Sequence, residues 1–197
     1  MFLKFIFYFS LMCIIFSCSK EAEEKAIEGW GANLNGNLNF PKNLKNIKKI
    51  SIGVRHTLVL LEDGTVFAWG ENMHQETNVS SDLNDVIDIE ATSSSSAALR
   101  SDGSFIMWGS IGLDDIPSEY TTDIVDIAVS GNYTAVLKRD GSVYAWSSNI
   151  DGYFMKVPFQ DKEKICIEPG GRSTLLVLYK DKTAESFEVF DNQLEPE

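Results

Sequence analysis

The residue types suited to acid–base or metal chemistry are few in this chain, and their spacing argues against their acting together. His56 and His74 are the two histidines, and neither belongs to an H-x-x-x-H or C-x-x-C pattern. No metal set is therefore expected. His56 also holds a place in a repeated phrase that later copies fill with Ser95, Tyr133 and Ser173, which points to a structural hydrogen bond. Asp63, Asp102 and Asp140 recur at equivalent places, each followed by Gly64, Gly103 or Gly141. Carboxylates working as an acid–base pair must converge on one bond. Aspartates in like turns of successive units do not, and turn geometry accounts for them. Calcium is not expected either, because the dense nonapeptide repeat of calcium β-rolls is absent. No glycine-rich phosphate cradle leads from a strand into a helix, so no cofactor is expected.

The elements that carry these residues form a repeat. The phrase of residues 53–70 returns at 93–109 and 131–147, and in worn form at 171–187. Trp30, Trp69, Trp108 and Trp146 mark it, with Phe187 in the tryptophan place of the last copy. A period near 40 residues indicates a stacked or circular array. The Asp-Gly step ahead of each tryptophan, worn to Asp181-Lys182 at the end, predicts a β-hairpin per copy. The runs before the turn, such as Thr57 to Leu61 and Thr134 to Leu137, are apolar at nearly every residue. Both faces of such a strand must be covered. A β-propeller does this by stacking each small sheet between its neighbours. The expected fold is all-β, roughly four propeller blades of about 39 residues each. The tryptophans then read as packing between blades, in preference to a carbohydrate-stacking ring.

Ile50, Gly53, His56, Thr57, Leu60, Asp63, Gly64, Val66, Trp69 and Gly70 together resemble the regulator of chromosome condensation repeat, in the short form of bacterial secreted propellers. The resemblance extends over roughly residues 28 to 190. It implies a propeller and, because relatives of this type include a secreted inhibitor of β-lactamases, protein binding. That family's ring usually has seven blades, so four units leave closure within one chain open. Glu28 to Gly31 reads as an outer strand without its hairpin partner, and Leu175–Tyr179 or Ser186–Phe190 are candidates to pair with it and clasp the ring.

The chain has 197 residues and a formal charge of -12. That suits one core and argues against nucleic acid, whose phosphates call for clustered cations. Residues 1–17 read as a lipoprotein signal peptide: Lys4 precedes an apolar run too short to span a bilayer, and Ile15-Phe16-Ser17-Cys18 resembles a lipobox. Cys18 is the expected lipidation site, carrying a palmitate-type anchor. Residues 18–27 read as a tether, 28–192 as the repeat domain and 193–197 as a tail. The expected location is the bacterial cell envelope, membrane-anchored, with the domain outside the cytoplasm. Only Cys166 then remains in the folded part, so no internal disulfide is expected.

Variable loops on a regular scaffold suit recognition. Met73, His74, Tyr120, Tyr153 and Phe154 are the candidate partner-binding residues. The leading expectation is a non-catalytic protein-binding module for an unknown protein partner. One alternative is a homo-oligomer that completes a ring by self-association, since Lys42, Lys45, Lys48, Lys49 and Arg55 gather in the first unit while later units are acidic. Another is an envelope enzyme acting on glycans, for which Asp114 and Asp115 are the loop carboxylates to test.

Overall fold

The computed structural model describes residues 12–15, 28–31, 33, 35–41, 44–110, 120–147, 154–157, 163–170 and 173–189. Its described strands form five antiparallel sheets, four of which are blades. β1 (Met12–Ile15) and β2 (Glu28–Gly31) make a two-stranded sheet. Blade I is β3 (Ile47–Ile52), β4 (His56–Leu61) and β5 (Val66–Gly70). Blade II is β6 (Val86–Ala91), β7 (Ser95–Arg100) and β8 (Phe105–Gly109). Blade III is β9 (Ile124–Val129), β10 (Tyr133–Lys138), β11 (Val143–Ser147) and β12 (Phe154–Lys156). Blade IV is β13 (Lys164–Pro169), β14 (Thr174–Tyr179) and β15 (Ala184–Glu188).

The Asp-Gly steps make the second hairpin of each blade. Gly64 N–H returns to Leu61 O at 3.1 Å, and Gly103 and Gly141 repeat the bond to Arg100 O and Lys138 O. These glycines take φ of 84°, 83° and 83°, a left-handed conformation that only glycine adopts without cost. The aspartate before each one braces the turn, its Oδ1 accepting the backbone N–H of Thr65, Ser104 or Ser142 at 2.8 to 3.0 Å.

Each blade's middle strand presents one face forward to the next blade (the trailing face) and one back to the previous blade (the leading face). Three cores fill the three junctions. Leu58, Leu60 and Val66 on the trailing face of blade I meet Ile89 and Ala98 of blade II. Ala97, Leu99, Phe105 and Met107 of blade II meet Ile127, Val136 and Trp146 of blade III. Tyr133, Ala135, Leu137 and Val143 of blade III meet Ile167, Leu175, Val177 and Tyr179 of blade IV. The first five residues of β4, β7 and β10 are all buried, which is why their sequences run apolar without alternation. Burial of one such leucine contributes about 1.5–3 kcal/mol.

Strand contacts between blades run in chain order, β3 to β6 to β9 to β13, and the described sheets are not closed into a ring. Two expectations are corrected. With residues 1–17 attached, β2 pairs with β1, which falls within the expected leader, Trp30 lying opposite Cys13; it does not pair with β14 or β15, which belong to blade IV. The histidine place of blade IV belongs to Thr174 and not Ser173. Thr174 faces Glu188 as His56 faces Gly70, because the Gly170 N–H closes its turn on Thr174 O, one residue further on than Gly53 on His56 O.

Candidate functional site

The inner strands β3, β6, β9 and β13 share an irregularity. In each, the pairing to the middle strand skips one residue, passing over Lys48, Ile87, Val125 and Ile165. An extra residue of this kind is a β-bulge, and it turns its side chain out of the ladder. Ile87, Val125 and Ile165 are accordingly 39%, 39% and 53% exposed.

The following residue of each inner strand, Lys49, Asp88, Asp126 or Cys166, lies at the junction with its neighbours. Lys49 Nζ reaches Asp88 Oδ1 at 2.6 Å and Glu90 Oε1 at 2.8 Å across the first junction. Ser51 Oγ accepts the Ala91 N–H at 2.8 Å beside them. Burial would lower the Lys49 pKa, but the Glu90 and Asp88 carboxylates outweigh it and hold the ammonium above its ordinary value. Burial raises Glu90 despite the same lysine. At the third junction Asp126 Oδ2 accepts the Ile167 N–H at 2.7 Å. Burial, with Asp88 and Glu168 as like charges nearby, pushes Asp126 up to about 6. The row stitches blades together. Among the described residues no group of three or more His, Cys, Asp or Glu is placed to hold a metal ion.

His56 belongs to a second stitch. Its Nε2 lies 2.9 Å from Ser96 Oγ, a nucleophile-and-base distance, yet both side chains are fully buried. The serine hydroxyl donates to Glu76 O at 2.7 Å, so it accepts from a His56 Nε2–H. Burial lowers the His56 pKa and keeps the ring neutral. This is a latch between blades I and II. The same place in blade III holds Tyr133, whose hydroxyl donates to Thr174 O of blade IV.

The loops after the tryptophan strands are braced alike. Trp69 Nε1 donates to Asn37 O at 2.7 Å, and 39 residues on Trp108 Nε1 donates to Glu76 O at 2.9 Å. Asn33 and Asn72 each span their loop, Nδ2 donating to Asn39 or Asn78 Oδ1 and Oδ1 accepting the Leu38 or Thr77 N–H. Where the first loop has Gly36 at φ 78°, the second has Gln75 at 66°.

That second brace holds out Met73, which is 76% exposed, and His74, also exposed; the His74 N–H is tied to Glu76 Oε2 at 2.7 Å. At the same end of the blade, Val54 is 66% exposed in the turn between β3 and β4. Arg55 Nη1 pairs with Glu71 at 3.1 Å, and Asn35 Nδ2 donates to the same carboxylate at 3.0 Å. Val54, Arg55, Met73 and His74 all lie at this end of blade I and on the loop that follows it. Met73 and His74 are thus exposed loop residues, and so is Val54, which the sequence did not single out and whose exposure comes from the turn. Tyr120 lies elsewhere, half-buried against Tyr144 with ring centroids 5.0 Å apart. Phe154 begins β12 opposite Trp146. Tyr153, Cys18, Asp114, Asp115 and the tail 193–197 lie outside the described residues. Cys166 is a free, half-buried thiol, raised by burial.

The description "Regulator of chromosome condensation (RCC1) repeat" matches residues 47–75 and 124–152, which fall on blades I and III. The chain carries RCC1 repeats. No curated protein sequence matches it. Among solved structures, human WBSCR16 aligns over 90% of this RCC1-like chain with a TM-score of 0.66 and 15% identity. Prp20p of Saccharomyces cerevisiae, in work on its binding to Gsp1p and histones, aligns over 90% at 0.57 and 16%. Yeast RCC1 (Prp20) with Kap60 aligns over 92% at 0.61 and 16%. The chain spans 59%, 56% and 53% of those three chains. The likeness is one of fold.

Proposed function

We propose that this RCC1-like arc is a non-catalytic protein-binding module of the bacterial cell envelope, anchored by lipid at Cys18, and that it binds through Val54, Arg55, Met73 and His74. The observation that carries this reading is Met73 at 76% exposure on a loop bound at both ends by hydrogen bonds. A large apolar side chain held out by a rigid loop loses little entropy on binding, which is how interface anchors work. The patch sits on the loop end of the blades, where scaffold proteins carry recognition. Prp20p, similar in fold, is described binding Gsp1p and histones, which supports protein as the ligand class. The buried Ser96–His56 pair serves architecture, and this favours binding over catalysis.

The test is site-specific photocrosslinking in envelope preparations. A benzophenone side chain at position 73 should capture a discrete protein that a probe at position 102, on the hairpin end, does not. Equal capture from both positions, or none, overturns the reading. Palmitate labelling lost in Cys18→Ala checks the anchor separately.

A further inference from the structure

We propose that Asn35-Gly36 is a self-modification site: Asn35 deamidates through a succinimide closed by the Gly36 nitrogen, and the product breaks the frame that holds Arg55. The reaction takes place within one loop and does not depend on what Met73 binds.

Asn-Gly occurs once in the chain. The turn itself does not demand it. In the second loop the same two places are His74 and Gln75, and Gln75 takes φ 66° where Gly36 takes 78°. Glycine at the second place differs in leaving its nitrogen uncrowded, with no Cβ to block approach to the side chain before it. Asn35 is exposed, and the Gly36 N–H reaches Asn33 O only at a long 3.4 Å, so neither reacting group is held back tightly.

The atoms balance with water as the sole co-reactant. The Gly36 nitrogen gives up its proton and bonds to Asn35 Cγ; the Cγ–Nδ2 bond breaks, and the side-chain nitrogen leaves as ammonia with that proton. Attack within one chain needs no encounter, which is why so weak a nucleophile can act. Water then opens the ring at either carbonyl and yields aspartate or isoaspartate.

The Asp-Gly steps could close the same ring only from a neutral carboxyl. Hydrogen bonds from Thr65, Ser104 and Ser142 hold the Asp63, Asp102 and Asp140 carboxyls below their ordinary range, and the glycine N–H groups that would attack are bound at 2.9 to 3.1 Å. Those sites stay closed.

The product matters because of what Asn35 holds. Its Nδ2 donates to Glu71 Oε1 at 3.0 Å, on the carboxylate that also takes Arg55 Nη1. An aspartate there is ionised at neutral pH and has no proton to give, so a donor becomes a second carboxylate facing Glu71. Isoaspartate also lengthens the main chain by a methylene, in a loop that Trp69 Nε1 clamps through Asn37 O.

The test is peptide mapping of the full chain after warm incubation near pH 5 and near pH 9, with fragmentation that separates isoaspartate from aspartate. The expected result is conversion at position 35 within about tenfold of the rate in the free peptide of residues 33–39, since opening an exposed loop costs little. Conversion should be faster at the higher pH, should stop in Asn35→Gln, and should leave Asn72, Asn78 and the Asp-Gly steps intact. Asn35→Asp, which carries the charge of the product, should melt below the parent by an amount that shrinks in high salt. Asn35 intact once the free peptide has converted, or conversion indifferent to pH, overturns the proposal, as does an Asn35→Asp chain that melts with the parent. Either failure leaves crosslinking from position 73 untouched, so the two readings fall separately.

Discussion

Replacing Lys182 with glycine should stabilise the protein, although it deletes a long side chain from a surface turn. Four blades use the same hairpin, and three put glycine at the left-handed position; in blade IV Lys182 takes φ 67° instead. A side chain in that region costs about 1–2 kcal/mol. Glycine returns roughly 0.5–1 kcal/mol through its freer unfolded chain. The net gain is therefore about 0.5–1 kcal/mol, worth roughly 1–4 °C in a chain of this size. The brace stays, since Thr183 N–H donates to Asp181 Oδ1 at 2.9 Å without help from Lys182. Gly141→Lys is the mirror experiment: a Cβ there meets nothing within 4 Å, so its loss reports backbone strain alone. Urea titrations followed by tryptophan fluorescence read both, as midpoint shifts at constant slope. A lower midpoint for Lys182→Gly, or none lost by Gly141→Lys, refutes the reasoning.

Other outcomes follow from the blade junctions. Gly53→Ala would place a Cβ 2.1 Å from Thr92 O and 2.7 Å from the His56 ring, forcing blades I and II apart. We expect a loss of more than about 2 kcal/mol in the same titration. Asp126 has its folded pKa, about 6, above its unfolded one, so the folded state binds the extra proton and stability falls as pH rises from 4 to 6. Asp126→Asn should match the parent near pH 4 and exceed it at pH 7, by at most about 3 kcal/mol for a shift of some two units and less where water reaches the group. His56 works the other way: its folded pKa is lowered, so stability is lost as pH falls below the unfolded value. Subtracting parent from Asp126→Asn curves cancels the histidine.

Most of the fold was legible because its markers are local. The Asp-Gly steps, the tryptophan period and the apolar middle strands each dictate a hairpin or a covered sheet without knowledge of the rest of the chain. What escaped depended on counting residues between elements. The turn closed by Gly170 N–H on Thr174 O holds one residue more than the turn closed by Gly53 N–H on His56 O, and that slip puts Thr174 where the phrase alone puts Ser173. The bulges at Lys48, Ile87, Val125 and Ile165 were invisible, since an inner strand with one residue skipped keeps a plausible pattern. Strand β2 found β1, a pairing no repeat signal could reveal. At the candidate surface, Met73 and His74 announced themselves as loop residues of unusual type. Val54 did not, because a valine beside a strand reads as core. The cross-blade pairs lie near one repeat apart, His56 with Ser96 and Lys49 with Asp88, and that spacing gains meaning only once the blades are stacked.

The central claim is that a fixed apolar patch on blade I and its loop binds a protein. Calorimetric titration of the partner captured from position 73 against parent and Val54→Lys/Met73→Lys chains tests it most directly. The account predicts affinity at least about thirtyfold weaker in the double variant, a loss near 2 kcal/mol, with an unchanged melting temperature because both side chains stand in water. Unchanged affinity in the double variant would contradict it.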